Sequence, residues 1–218
     1  MRSLLQAVAG ILFLSFFSQV HAYSVNFSCV PNMDSIDATD CTIGEAQFSV
    51  DVIDYGSSQV LFNINNSGPE QSSIRGVYFD DGTLLGISTI IDTQNGGSAG
   101  VDFMQDMSSP NMPGWDQVIP TFEATASFTS VAVNPSAHNG INEFETLGIV
   151  FDLQAGLSFF DVINDLETGA LRIGLHAIDF ADTGSESFVN TSPVPVPAAV
   201  WLFCSGLIGL LGLAKRRK

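Results

Sequence analysis

Residues 46–66, AQFSVDVIDYGSSQVLFNINN, carry the pattern that decides the fold. Apolar side chains stand at alternate positions from Phe48 to Val52 and again from Val60 to Ile64. Alternation with a period of two is typical of a β-strand that buries one face and exposes the other. The stretch therefore predicts two strands of an antiparallel sheet with one face toward water.

Similar strand-like runs recur along the chain, in residues 122–133, 147–153 and 170–180. Sequences rich in Asn, Asp and Gly separate them and predict turns. Many short strands in a chain of this size predict an all-β domain, an antiparallel two-sheet sandwich similar to a jelly roll. The dipeptide formed by Asp81 and Gly82 predicts a hairpin turn between two strands.

Residues 157–169, LSFFDVINDLETG, depart from this pattern because their apolar side chains recur at helical spacing. Ser158 can cap the start of a helix together with Asp161, three residues further on, and Gly169 can end it. The sequence therefore predicts one short amphipathic helix packed on the sandwich.

The charge of the chain is strongly negative and unevenly distributed. Its 218 residues include 23 Asp or Glu and seven Lys or Arg, which gives a formal net charge of −16. All of the acidic residues lie between positions 23 and 192, where Arg75 and Arg172 are the only Lys or Arg residues. Such a surface repels nucleic acid and other polyanions. We therefore exclude nucleic acid as a partner, and neutral sugars, divalent metal ions and basic proteins remain.

The first 22 residues have the organisation of a secretory signal peptide. Arg2 precedes a short apolar core, and Val20 and Ala22 are the small residues expected before a cleavage site. We expect signal peptidase to cut after Ala22 and the domain at residues 23–192 to be exported. The alternative is an uncleaved anchor, although an anchor usually needs roughly 20 apolar residues.

Two cysteines, Cys29 and Cys41, bracket a polar stretch that we predict to be a loop. In an oxidising compartment a pair placed in this way usually forms a disulfide. Two free thiols or a metal-binding pair are the alternatives, but a metal site would need further Cys or His residues nearby.

The sequence gives little support for catalysis. Ser98 is the centre of GGSAG, residues 96–100, which matches the nucleophile-elbow string. No convincing helical pattern follows it, so a glycine-rich loop is the better interpretation. His138 lies in a turn-like sequence and His176 in a predicted strand, and we expect neither to be catalytic. We therefore predict no catalytic residue and a protein that is not an enzyme.

We expect no cofactor; calcium is the one candidate, because it binds oxygen ligands and suits a protein that works outside the cell. The weak candidates are Asp34, Asp37 and Asp40 between the cysteines, and Asp80 and Asp81 at the predicted hairpin. None of them has the spacing of an EF-hand loop. We therefore expect these carboxylates to be solvated surface charges, and a structural calcium site is the alternative.

Residues 193–218, PVPVPAAVWLFCSGLIGLLGLAKRRK, predict a membrane-directed tail. Alternating prolines favour an extended spacer. Residues 198–214 then form an uncharged run at the short end of what spans a bilayer as a helix. The basic residues at 215–218 would stay cytoplasmic by the positive-inside rule, which leaves the acidic domain outside.

This tail resembles the PEP-CTERM sorting signal of exosortase substrates in Gram-negative bacteria. It matches the variant V-P-x-P-A-A-x-W-L-F, followed by a run rich in small residues and a basic end. Val196 stands where the signal has an acidic residue, and Cys204 stands where a small residue such as Gly is expected. The residues assigned to the signal are Pro193, Val194, Pro195, Val196, Pro197, Ala198, Ala199, Trp201, Lys215, Arg216, Arg217 and Lys218.

The resemblance implies transient anchoring in the inner membrane, processing by an exosortase, and release to the cell surface or an exopolysaccharide matrix. Residues 76–86 and 171–190 also resemble the ectodomains of one group of such substrates, a group with no agreed activity. We therefore expect an exported, non-enzymatic surface or matrix protein. A glycan- or calcium-binding module is the alternative, and a secreted hydrolase is less favoured. On biophysical grounds the tail would also fit a membrane anchor that is never processed.

Overall fold

The computed structural model describes residues 22–30, 37–81, 85–94, 96–106, 111–134, 137–181 and 184–191. Residues 1–21 of the predicted signal peptide, the calcium candidate Asp34 and the predicted sorting tail lie outside these ranges. Within the described ranges, no helix combines the length and the apolar character needed to cross a membrane.

Twelve strands, two α-helices and a short 3₁₀ turn at Trp115–Gln117 form within the described residues. The strands are β1 (Ala22–Cys29), β2 (Phe48–Gly56), β3 (Gln59–Asn66), β4 (Ser73–Asp80), β5 (Leu85–Ile91), β6 (Phe103–Gln105), β7 (Ala126–Ser130), β8 (Ala132–Asn134), β9 (Ala137–His138), β10 (Glu145–Leu153), β11 (Arg172–Ile178) and β12 (Glu186–Asn190). The helices are α1 (Ala38–Gln47) and α2 (Phe159–Thr168). The domain is therefore mostly antiparallel β-structure, as the sequence predicted.

Ten of the strands form one antiparallel sheet, in the order β5-β10-β3-β2-β1-β12-β11-β4-β7-β6, while β8 and β9 pair only with each other. The sheet curls into a nearly closed barrel, so the prediction of a clear two-sheet sandwich is wrong. The reason is β1, whose residues 22–26 pair with β2 while residues 27–29 pair with β12. No strand was predicted before residue 46, and the link between the two halves was therefore missed.

Phenylalanine rings fill the space between the two halves of the sheet. Phe62 of β3 and Phe151 of β10 come from one half, and Phe79 of β4 and Phe128 of β7 come from the other. The ring centroids of Phe62 and Phe79 are 5.1 Å apart, and those of Phe79 and Phe151 are 5.0 Å apart, both edge-to-face. All four side chains are fully buried. Edge-to-face pairs at these separations are favourable beyond the area that they bury.

The predicted helix forms as α2, with the boundaries that the sequence indicated. Ser158 and Asp161 form a reciprocal capping box at its start, and Gly169 ends it in the left-handed conformation with φ of 78°. Hydrogen bonds from the side chain and backbone of Ser158 lower the pKa of Asp161. The buried stripe is narrower than predicted, because Phe160 is 67% exposed.

A second helix, α1, occupies part of the stretch that was predicted to be only a polar loop between the cysteines. Asp37 caps it by accepting hydrogen bonds from the backbone N–H groups of Thr39 and Asp40, at 2.6 and 3.4 Å. The helix has no strong apolar stripe, which is why the pattern did not reveal it. Its buried Gly44 instead lies against the ring of Phe188 in β12, where a Cβ would overlap with the ring.

The hairpin predicted at Asp81 and Gly82 does not form, because the strands on either side pair elsewhere. β4 pairs with β7 and β11, whereas β5 pairs with β10. Gly82 itself lies outside the described residues. Turn-forming residues indicate where the chain leaves a strand, but the partner of the next strand is decided by packing between distant segments.

Truncation of the central ring should show how much the fold depends on this core. We expect Phe79→Ala to lower the free energy of unfolding by about 3–5 kcal/mol, the usual cost of removing a fully buried Phe. The matched control is Phe160→Ala, which removes a largely exposed ring and should cost less than about 1 kcal/mol. Equilibrium unfolding in urea measures both. Similar losses in the two variants would contradict the assigned core.

Candidate functional site

The predicted disulfide ties the first strand to the first helix. Cys29 is the last residue of β1, and it is bonded to Cys41 in α1 with the two Cα atoms 5.4 Å apart. The backbone N–H of Cys29 also donates a hydrogen bond to Oε1 of Glu45, further along α1, at 2.9 Å. The bond therefore fixes α1 at the point where β1 ends.

A buried carboxylate that the sequence analysis did not single out lies beside this disulfide. Glu186 of β12 is 1% exposed, and its Oε1 accepts a hydrogen bond from the backbone N–H of Asp37 at 2.9 Å. Its Oε2 is 4.0 Å from Sγ of Cys29. Cys29, Cys41 and Glu186 offer three ligand atoms within 4.8 Å of one another. They could hold a metal ion only after reduction of the disulfide, because the thiolate is the form that binds metal.

The described calcium candidates fall into two separate groups. Asp37 and Asp40 lie at the start of α1, next to Glu186, whereas Asp80 and Asp81 lie at the end of β4. In the register of the sheet, Asp80 is opposite the first residue of β11 and Glu186 is opposite a residue near its end. The two groups therefore lie at opposite ends of β11 and do not form one site.

Asp80 and Asp81 both have structural partners. Asp80 forms an ion pair with Arg172, whose guanidinium carbon also lies 5.3 Å from the centre of the Phe122 ring. The hydroxyl of Thr125 donates a hydrogen bond to Asp81. These contacts fasten the end of β4 to β11 and to the segment before β7.

Ser98 lies in the loop between β5 and β6, and no helix follows it in residues 99–106. Its Oγ accepts a hydrogen bond from the backbone N–H of Thr146 at 3.0 Å. The glycine-rich-loop interpretation is therefore correct, and the helix that a nucleophile elbow requires is missing from this part of the structure. His138 lies in the short strand β9.

His176 is half-buried on β11, with its Nδ1 3.5 Å from the hydroxyl of Ser187 on β12. Ser187 is fully buried, so this hydroxyl is not accessible to a substrate. Burial, and then the charge of Arg75, lower the pKa of His176. The neutral imidazole is therefore favoured near neutral pH, and the pair packs within the sheet.

A chain of hydrogen bonds, here called the polar row, crosses the outer face of β1, β2, β3 and β10. Ser24 donates to one oxygen of Asp51, and the side-chain amide of Asn65 donates to the other at 3.1 Å. The hydroxyl of Thr146 donates to Oδ1 of Asn65 at 2.9 Å. Through the backbone N–H of Thr146, the row reaches Ser98. It joins four strands on the face opposite the core.

A cleft of about 340 Å³, here called the outer cleft, opens at the end of the polar row. It is lined by Asn63, Ile91, Gly96, Gly97, Ser98, Thr146 and Gly148. Its volume is at the lower end of the roughly 300–1,000 Å³ that is usual for small-molecule sites. Asn63 and Asn65 are polar members of the alternating stretch that predicted β3, but the sequence analysis used only the apolar members.

Comparison of the chain with family models, with curated proteins and with solved structures found no significant match.

Removal of the disulfide should destabilise the domain. The bond closes a sequence separation of 12 residues, and we expect the Cys29→Ser/Cys41→Ser variant to lose about 2–3 kcal/mol of unfolding free energy. Urea unfolding with and without a thiol reductant measures this. The reductant should lower the midpoint of the natural protein and leave that of the double variant unchanged. Equal midpoints for the two proteins without reductant would contradict a stabilising role.

The acidic surface should make stability depend on ionic strength. We expect sodium chloride to raise Tm, because screening weakens the repulsion among the carboxylates. We expect calcium chloride at equal ionic strength to raise Tm by the same amount, since Asp80 and Asp81 already have partners and Asp37 caps a helix. Thermal melts in the two salts make the comparison. An additional rise that saturates with calcium would contradict this and would indicate a specific site.

Proposed function

We propose that the protein is an exported, non-enzymatic protein of the cell surface or of an exopolysaccharide matrix of a Gram-negative bacterium. In this proposal it is held transiently in the inner membrane and then processed by an exosortase. The observation that carries the proposal is the tail at residues 193–218. A proline spacer, an uncharged apolar run and a basic end follow one another there, in the order of the PEP-CTERM signal that the tail resembles, and the last two suit a membrane anchor.

The composition of the domain supports export. Cys29 and Cys41 are the only cysteines in residues 23–192, and a disulfide between them is the expected state in an oxidising compartment. The same residues contain no lysine and all of the acidic residues of the chain. An excess of one charge keeps a domain soluble and keeps it away from anionic lipid headgroups.

The path of the chain also suits a domain carried on a C-terminal tail. β1 begins at Ala22, and β12 runs antiparallel to it. After β12, the backbone N–H of Thr191 donates a hydrogen bond to the carbonyl of Asn26 at 2.9 Å. The chain therefore enters and leaves the domain toward the same end. A spacer attached at that end would leave the rest of the domain free to face outward.

The proposal predicts that the tail is removed from the mature protein. We expect the form extracted from the cell surface to lack the chain from about residue 198 onward, and intact-mass measurement determines this directly. In matched cells without an exosortase, the protein should keep the tail and stay in the inner membrane. A mass that includes residues 200–218, for protein in the inner membrane of cells with an active exosortase, would favour an unprocessed anchor.

The basic end should be needed for correct sorting. Replacement of Lys215, Arg216, Arg217 and Lys218 by Gln removes the charges that hold the end of the tail in the cytoplasm, and we expect missorting of the precursor. Fractionation of cells that express the variant tests this. The matched control is Arg75→Gln, which removes a cation of the domain without breaking the ion pair between Arg172 and Asp80, and it should leave the location of the precursor unchanged.

A further inference from the structure

The outer cleft is neutral although the domain around it is strongly acidic. None of its seven lining residues carries a charge, whereas residues 23–192 contain 23 acidic side chains. A ligand of this cleft therefore does not need a positive charge to match its lining. An anionic ligand would be repelled by the field of the surrounding carboxylates.

Three polar side chains in the cleft have hydrogen-bonding capacity left for a ligand. The amide of Asn63 has no hydrogen-bond partner among the described residues, so it offers both donors and an acceptor. Ser98 uses its Oγ to accept from a backbone N–H, which leaves its hydroxyl hydrogen free to donate. Thr146 donates its hydroxyl hydrogen to Asn65, which leaves lone pairs free to accept.

The neighbouring carboxylates are occupied by contacts of their own. Both oxygens of Asp51 accept hydrogen bonds within the polar row. Asp92 accepts one hydrogen bond from a backbone N–H of the loop after β5, at 3.0 Å, and one from a backbone N–H of β6, at 3.2 Å. Glu145 accepts from the backbone and side chain of Asn142, at 2.8 and 3.0 Å. Each of these three carboxylates therefore has a structural partner within the domain, and the bonds hold the loop and the strands in place.

Glycines shape the floor and one wall of the cleft. At Gly148, a Cβ would lie 3.0 Å from Cβ of Ile91 and 3.4 Å from Oδ1 of Asn63, so a side chain there would fill the space between them. At Gly97, a Cβ would lie 2.7 Å from the carbonyl oxygen of Ile91, so the loop can approach β5 this closely only with glycine. The half-exposed side chain of Ile91 supplies an apolar surface beside the polar groups.

We propose that the outer cleft binds one neutral sugar unit of a saccharide. A pyranose ring presents hydroxyl groups that both donate and accept hydrogen bonds, which suits Asn63, Ser98 and Thr146. Its C–H faces can pack against Ile91, and its lack of charge suits the neutral lining. This role of the cleft rests on the proposed function, because a protein of the matrix with such a cleft would hold neutral polysaccharide at the cell surface.

An array of saccharides tests the inference. The full chain is purified in a detergent without a sugar headgroup and applied to neutral gluco-, manno- and galacto-oligosaccharides alongside uronic-acid and sulfated saccharides. We expect binding to at least one neutral series and none to the anionic ones. The strongest neutral ligand is then titrated by calorimetry. Absence of binding to every neutral series by the folded protein would overturn the proposal, and so would a preference for the anionic saccharides.

Substitutions in the cleft locate the site. We expect Asn63→Ala to weaken binding at least tenfold and Ser98→Ala to weaken it severalfold. The matched control Asn164→Ala, on the exposed side of α2, should bind like the natural protein. Urea midpoints show that each variant is folded, and Ser98→Ala provides the test if Asn63→Ala does not fold. Unchanged affinity in the folded cleft variants would overturn the assignment. The mass of the mature protein tests the proposed export separately, so the two failures are distinguishable.

Discussion

The double pairing of β1 is the constraint on which both halves of the sheet depend. One extended segment of eight residues pairs first with β2 and then with β12, so the two halves share a strand and cannot separate without breaking it. Its inward side chains, Val25 and Phe27, are buried in the common core. Because β1 sets the position of one half relative to the other, the phenylalanine rings from both halves can meet in edge-to-face contact. The disulfide at Cys29 then adds α1 to the end of this shared strand.

Local signals in the sequence predicted what is local in the structure. The alternation in residues 46–66 predicted β2 and β3, and the cap residues Ser158 and Gly169 predicted α2, because these patterns depend only on neighbours along the chain. Pairings between distant strands leave no such signal, and the shared strand, the nearly closed sheet and the neighbours of β5 were therefore missed. The cysteine pair was predicted because the domain offers no other partner. The contacts of Glu186 and the cleft around Asn63 form only when segments that are distant along the chain come together, so no local pattern indicates them.

The acidic residues have a structural role that the net charge conceals. Asp37 and Asp161 cap the two helices, and Asp54 accepts a hydrogen bond from the backbone N–H of Gly56 at the turn between β2 and β3. Asp92 likewise accepts hydrogen bonds from two backbone N–H groups, one in the loop after β5 and one in β6. A carboxylate is a strong acceptor for the backbone N–H groups that turns and helix starts leave without a partner. Part of the negative charge is therefore placed where the backbone needs acceptors.

The pairing of β1 with β12 also constrains the order in which the domain can be assembled. β1 is the first strand of the described chain to be synthesised and β12 is the last, yet the two are adjacent in the middle of the sheet. The half that contains β2, β3 and β10 can begin to form earlier, but β1 can pair with β12 only after residue 190 has been synthesised. Contacts between such distant segments slow folding, because a long stretch of chain must be ordered to bring them together. A chain interrupted before its last strand would keep β1 with one edge unpaired, and unpaired strand edges are sites of association between molecules.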